Sequence, residues 1–158
     1  MTGGSGDDAL LSGALTLISG SLDGVSGNDT LAVAQSASLS ATLSNIDAVS
    51  LANNVNLTTT IANNALITSA LGSNTVSLSN AGTASGVAAV ESYVLAAGGN
   101  TFTLGASGQN LTGASGDDTL RTAALTTISG LIDGVSGTDT VAVEQSATLS
   151  ASLTTSMR

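Results

Sequence analysis

Lysine, histidine, cysteine, proline and tryptophan are absent from this chain, and phenylalanine and tyrosine occur once each. Without cysteine there is no disulfide framework, no thiolate zinc site and no cysteine nucleophile. Without proline, every backbone N–H can enter a hydrogen-bonded ladder. The scarcity of aromatic rings leaves Ala, Val, Leu and Ile to build the core, which suits thin, regular layers better than a thick globular interior. Arg121 and Arg158 are the only cationic side chains, against a net charge of −9. Such a chain cannot neutralise a phosphate backbone, so neither nucleic acid nor an anionic membrane surface is an expected partner. No apolar run reaches the roughly 18 residues of a membrane helix, and no membrane insertion is expected. The opening Met-Thr-Gly-Gly carries no basic region and no apolar stretch, so no cleavable leader is visible. Export would then use a signal outside this chain, or the chain is a piece of a longer protein.

What is present is repetition. Thr2-Gly3-Gly4-Ser5-Gly6-Asp7-Asp8 returns as Thr112-Gly113-Ala114-Ser115-Gly116-Asp117-Asp118, and about two-thirds of positions 2–44 are identical in 112–154. A chain that repeats its own segments stacks them, burying a core that no single unit buries alone. The reading is one solenoid segment over 1–158: a first copy at 2–44, metal-poor middle coils at 45–111 and a second copy at 112–154. The second copy stops where the first runs on into Asn45-Ile46-Asp47-Ala48, as expected of a fragment or of a unit meant to continue end to end.

Short alternating stretches recur behind Gly, Asn or Asp: Thr30–Val33, Val49–Leu51, Val55–Leu57, Thr75–Leu78, Thr101–Leu104 and Thr140–Val143. Period-two alternation bounded by turn formers reads as half-buried strand, with Leu31 and Val33 inward and Thr30 and Ala32 outward. The turn residue before each run is Asp8, Asp29, Asn54, Asn74, Asn100, Asp118 or Asp139. Their spacing predicts an all-β fold, a parallel β-solenoid (β-roll or β-helix) of roughly 18–26-residue coils. Five coils would fill the 110-residue unit and rise roughly 24 Å, with surplus residues bulging from the far side. The Ala-rich stretch Ser85–Ala97 has helical propensity, but its parallel with Ile46–Leu51 favours strand. Asn53, Asn63, Asn64 and Asn80 read as ordinary turn residues. Asn54, Asn74 and Asn100 would hold the middle coils by stacked amide hydrogen bonds without metal.

The chemistry lies in the turns. Gly3 to Leu11 matches the nonapeptide G-G-x-G-x-D-x-(apolar)-x in full. Gly24 to Ala32, Gly113 to Arg121 and Gly134 to Ala142 match except at the second glycine, where Val25, Ala114 and Val135 stand. These motifs resemble the calcium-binding RTX repeats of large secreted bacterial proteins, and the Ser/Thr/Ala/Asn-rich remainder looks like repeats of surface-layer proteins and giant adhesins. Glycine permits a tight turn with inward carbonyls, Asp adds a carboxylate, and calcium takes about six to eight oxygens. One turn cannot supply them, but two turns one coil apart can. The expected ligands are Gly3, Gly4, Gly6 and Asp8 with Gly24, Gly27 and Asp29, and Gly113, Gly116 and Asp118 with Gly134, Gly137 and Asp139. Plain Gly-Asp turns with solvated carboxylates are the alternative. Asp23 and Asp133 either contribute to the site or begin the turn.

The expected function is a structural repeat segment of an extracellular bacterial surface assembly (surface layer, adhesin stalk or self-assembling fibre), secreted and stabilised by Ca²⁺. Its expected partners are copies of itself by head-to-tail stacking, or further repeats of the same chain. An ice- or surface-binding solenoid is the alternative, suggested by Thr58-Thr59-Thr60 and Thr101-Phe102-Thr103. A carbohydrate-active solenoid enzyme is less favoured and the chain is read as no enzyme. The lack of His, Cys and Lys removes most general bases and nucleophiles, and its turn carboxylates are duplicated rather than gathered in one pocket. Asp47 and Glu91 read as carboxylates that accept backbone hydrogen bonds.

Overall fold

Alternating small polar and apolar residues separated by turn formers make strands too short to stand alone, so each is held by the coils on either side. The computed structural model describes residues 1–154. The first coil carries β1 (Ala9–Leu11), β2 (Leu17–Ile18) and β3 (Ser21–Asp23), and the second β4 (Thr30–Val33), β5 (Ala37–Leu39) and β6 (Thr42–Ser44). The third has β7 (Ala48–Asn53), β8 (Asn56–Thr59) and one helical turn, α1 (Ile61–Asn64); the fourth has β9 (Ile67–Leu71), β10 (Thr75–Leu78) and β11 (Thr83–Ser85). Then come β12 (Ser92–Val94) with β13 (Thr101–Thr103), and β14 (Asn110–Thr112) with β15 (Thr119–Arg121). The last two coils hold β16 (Thr127–Ile128), β17 (Leu131–Asp133), β18 (Thr140–Ala142), β19 (Thr148–Leu149) and β20 (Ser152–Thr154).

Every strand pair is parallel, and the protein is a β-solenoid of about eight turns, about 19 residues each. It has three faces, visited in the order A, B, C. Face B is one continuous eight-stranded sheet, β2-β5-β8-β10-β12-β14-β17-β20. Face A runs β1-β4-β7-β9, continues as turns near 87–90 and 105–109, and resumes as β16-β19. Face C runs β3-β6, passes through α1, and continues as β11-β13-β15-β18. At about 4.8 Å per strand the stack is roughly 34 Å long.

The expected strands are present, and Leu31 and Val33 point inward with 0% and 1% exposure. Ser85–Ala97 forms strand and turn rather than helix. The spacing argument, however, is corrected. Registers between neighbouring coils are 17 to 21 residues, and the 110-residue repeat is five and two-thirds turns, not five. The two long intervals, Asp29 to Asn54 and Asn74 to Asn100, are each one turn plus one face, not a turn with a bulge. As a result β1 lies on face A, whereas its copy β15 lies on face C.

The interior is one thin row per face. Ala37, Leu57, Val76, Tyr93, Leu111, Ile132 and Leu153 stack in register along face B. The two aromatic rings meet there, Tyr93 against Phe102 at 4.8 Å between centroids. Where face A lacks strands, polar side chains replace the ladder. Buried Gln109 accepts the Gly105 and Ala106 N–H through Oε1 and donates Nε2 to the Val87 and Val90 carbonyls. Asn63 and Asn64, expected as plain turn residues, are buried in α1 and donate to Ala41 O and Ser85 O in the coils on either side. Gln109→Leu strands four buried backbone groups and should cost about 2–4 kcal/mol, read as a lower urea midpoint with unchanged slope.

Burial pushes the Tyr93 hydroxyl up to about 12, offset in part by the Val87 N–H it accepts. The unfolded tyrosine ionises near 10, so the stabilisation is complete below that pH and is lost as pH rises towards 12. With one Tyr and no Lys or Cys in the chain, this titration is isolated. Urea unfolding should show stability falling between about pH 10 and 12, and Tyr93→Phe should remove most of that fall.

Candidate metal centre

At each corner the chain leaves the strand ladder, and one N–H points towards the next coil without a carbonyl in line. A side-chain oxygen from that next coil accepts it. At the corner entering face A, Asp8 N–H donates to Asp29 Oδ1 at 2.8 Å and Asp29 N–H to Asp47 Oδ2 at 2.8 Å. At the corner entering face B, Val55 N–H donates to Asn74 Oδ1 and Asn74 N–H to Glu91 Oε2. At the corner entering face C, the sequence runs from Gly82 N–H to Asn100 Oδ1, Asn100 N–H to Asp118 Oδ1 and Asp118 N–H to Asp139 Oδ1.

The structure therefore brings Asp8 over Asp29 and Asp118 over Asp139, each pair one coil apart in register. It does not bring the two pairs to one edge. Nor do the seven turn residues form one column: Asp8 and Asp29 lie at the first corner, Asn54 and Asn74 at the second, and Asn100, Asp118 and Asp139 at the third. Asp47 and Glu91 complete two of these columns and accept backbone N–H groups, as expected of them. The central amides are not stacked on one another. Asn100 Nδ2 donates to Asp118 Oδ1 and to the carbonyls of Ala96 and Gly98, and Asn54 Oδ1 accepts the Ser73 N–H.

The glycines divide by role. Gly6, Gly27, Gly116 and Gly137 take φ of 119°, 124°, 118° and 130°, where L side chains are disfavoured. The first glycine of each motif admits oxygens instead. A Cβ on Gly3 would lie 2.8 Å from both Asp8 Oδ2 and Gly24 O, and one on Gly113 would lie 2.6 Å from Gly134 O and 2.7 Å from Asp118 Oδ2. On Gly24 it would overlap Asn45 O and Asp29 Oδ2, and on Gly134 it would overlap Asp139 Oδ2. At the second motif position, Gly4 N–H donates to Asp8 Oδ2 at 2.6 Å and Ala114 N–H to Asp118 Oδ2 at 3.3 Å. Asp23 and Asp133 begin the turn, accepting the Val25 and Val135 N–H through Oδ1.

Two contributors escaped the sequence reading. Asp7 Oδ1 accepts the Asn28 N–H and Asp117 Oδ1 the Thr138 N–H, each at 2.8 Å across one coil. The Asp-Asp doublet that opens each copy was the available signal. Carboxylate burial also departs from a solvated turn: Asp29 is 0% and Asp118 6% exposed. Asp118 has both oxygens hydrogen-bonded to the chain, whereas Asp29 Oδ2 is buried with no partner.

These oxygens fit a hard cation. Asp29 Oδ2 and Asn45 O crowd one glycine, with Asp8 and Asp47 above and below in the column, and a carboxylate–carbonyl set is the donor type calcium prefers. Among the described residues no three carboxylates converge on one point, so backbone carbonyls would complete the shell. Arg121, the cationic side chain described, is paired with Glu144. Among the described residues no helix is long and apolar enough to cross a membrane. No family model, curated protein or solved structure matches the chain.

Val25 and Val135 stand where the motif has glycine, with φ of 75° and 68°. That conformation costs a β-branched residue about 1–3 kcal/mol, against the roughly 0.5–1 kcal/mol of backbone entropy that glycine loses on folding. Val25→Gly and Val135→Gly should each stabilise the chain by about 1 kcal/mol, measured by urea unfolding in chelator.

Proposed function

We propose that this chain is a structural spacer, a repeat segment of an extracellular bacterial surface assembly such as a surface layer, adhesin stalk or self-assembling fibre. Its Gly/Asp corners take up calcium in the manner of the RTX-type repeats its motifs resemble. The observation that carries the calcium reading is the buried, unpartnered Oδ2 of Asp29. Burying an ionised carboxylate without a partner is costly, and a cation there offsets both that cost and the repulsion from Asp8 and Asp47. The holding groups would be the carboxylates of Asp8, Asp29, Asp118 and Asp139 with the carbonyls of Gly24, Asn45 and Gly134. The bound ion would supply charge neutralisation between successive coils.

The scaffold reading is supported by where the acids are spent. Each column carboxylate accepts an N–H from the coil before it, which ties coils together and leaves no asymmetric acid pair for hydrolysis. Partners on this reading are copies of the chain, or further repeats, meeting the strand edges of the terminal coils. An ice- or surface-binding face draws less support. The outward column Ser38, Thr58, Ser77, Val94, Thr112 and Asp133 on face B is interrupted by an apolar and a charged residue.

Millimolar calcium, compared with chelator, should raise the melting temperature by about 5–10 °C, while magnesium, which keeps its waters, should do little. Asp29→Asn should be at least as stable as the parent in chelator, because its amide can donate to Asn45 O, and should lose much of the calcium response. A melting curve indifferent to calcium would remove the metal from this reading.

A further inference from the structure

The described chain enters on face C and leaves on face B. Met1 and Thr2 run along β3, with Asp23 N–H donating to Met1 O and Gly3 N–H to Asp23 O, while β20 closes face B. Each face is thus crossed eight times, in whole turns, and the first segment stands one strand step above β18 along the axis. Both ends of the interior are open. At one end a hollow of about 220 Å³ is lined by Met1, Leu15, Ile18, Leu22 and Leu31; at the other, one of about 180 Å³ is lined by Leu120, Ile132, Val141 and Leu153.

The repeat supplies an internal comparison. In the first copy, Leu31 and Leu39 are covered by the next coil, at 0% and 1% exposure. Their counterparts Val141 and Leu149 have no such cover among the described residues, and Leu149 is 45% and Leu153 49% exposed. The C-terminal coil therefore has the inner surface of a coil made to be stacked upon.

We propose that a second copy of this chain stacks on that coil head to tail and without rotation, its Met1–Thr2 over β18, its β1 over β19 and its β2 over β20. Leu149 and Leu153 then join the interior beside Leu10 and Ile18 of the next copy. Asp8 Oδ1, which accepts no hydrogen bond within the chain, meets a corner N–H ahead of β19. A copy turned by one face would set β1 over β18 and drive its Met1–Thr2 segment into β20. Two like ends would pair antiparallel and lose the corner acceptor, which always comes from the following coil. Pure translation does not close, so the product is an open filament.

This joint rests on the scaffold reading and can fail without it. In a chain with no native cysteine, Ala9→Cys with Thr148→Cys places two outward thiols on face A, at opposite ends of a stack roughly 34 Å long. A short bis-maleimide can therefore bridge them only between copies. The expected result is a ladder of covalent multimers from this pair and none from Ala9→Cys with Thr140→Cys, which reports the turned joint. Leu149→Lys with Leu153→Lys should abolish the ladder while the far-ultraviolet circular dichroism stays that of the parent. Links from the Thr140→Cys pair, or a monomer by sedimentation at every concentration, would overturn the proposal. If calcium still raises the melting temperature of such a monomer, the joint alone has failed.

Discussion

Parallel stacking satisfies a strand's backbone from both sides but not the backbone of the bend between strands. At each corner one N–H faces the next coil, and leaving it unpaired in a buried place costs about 1–3 kcal/mol. In this protein the acceptor is a side-chain oxygen borrowed from the following coil: Asp29 for Asp8, Asn74 for Val55, Asp118 for Asn100. Because the donor and acceptor belong to different coils, no coil is complete alone. The glycine ahead of each acidic corner follows from the same need, since a methyl there would occupy the place of the carboxylate oxygen.

Coil length decides how the three faces are used. A register of 21 residues accommodates a strand on every face, as in the first two coils and their copies. Registers of 17 to 19 leave too little chain, and one face becomes a turn or the single helical turn α1. Long amides then take the place of the missing ladder, Gln109 on face A and Asn63 with Asn64 on face C. The ring pair of Tyr93 and Phe102 lies in this stretch, where the Tyr93 hydroxyl also accepts the Val87 N–H. Aromatic volume is spent where strands are fewest.

Much of this was legible beforehand. Alternation in Thr30–Val33 and Thr75–Leu78 marks strands because a half-buried pleat demands it, and the return of Gly3–Asp8 as Gly113–Asp118 marks stacking. The acidic pairs one coil apart were legible for the same reason, since both copies keep a spacing of 21 residues. The columns were not. Asp29 to Asn54 counts residues, whereas the solenoid counts faces, and nothing in the intervening composition says that one extra face has been passed. Asp47 and Glu91 carried no turn motif, so their place as the last acceptor of a column became visible only when coils were laid over one another.

Composition and periodicity by themselves determined that this chain makes short parallel strands with a thin aliphatic interior and acidic, glycine-bearing bends, because those are local consequences of side-chain size, backbone freedom and charge. Only the tertiary structure decided that the repeat returns two-thirds of a turn out of phase, so that its two acidic pairs lie on different edges. It also singled out Asp29 as the carboxylate with a buried oxygen left over. Both depend on the accumulated angle of many coils, and angle, unlike hydrophobic alternation, is a sum over the whole chain that no short stretch of residues contains.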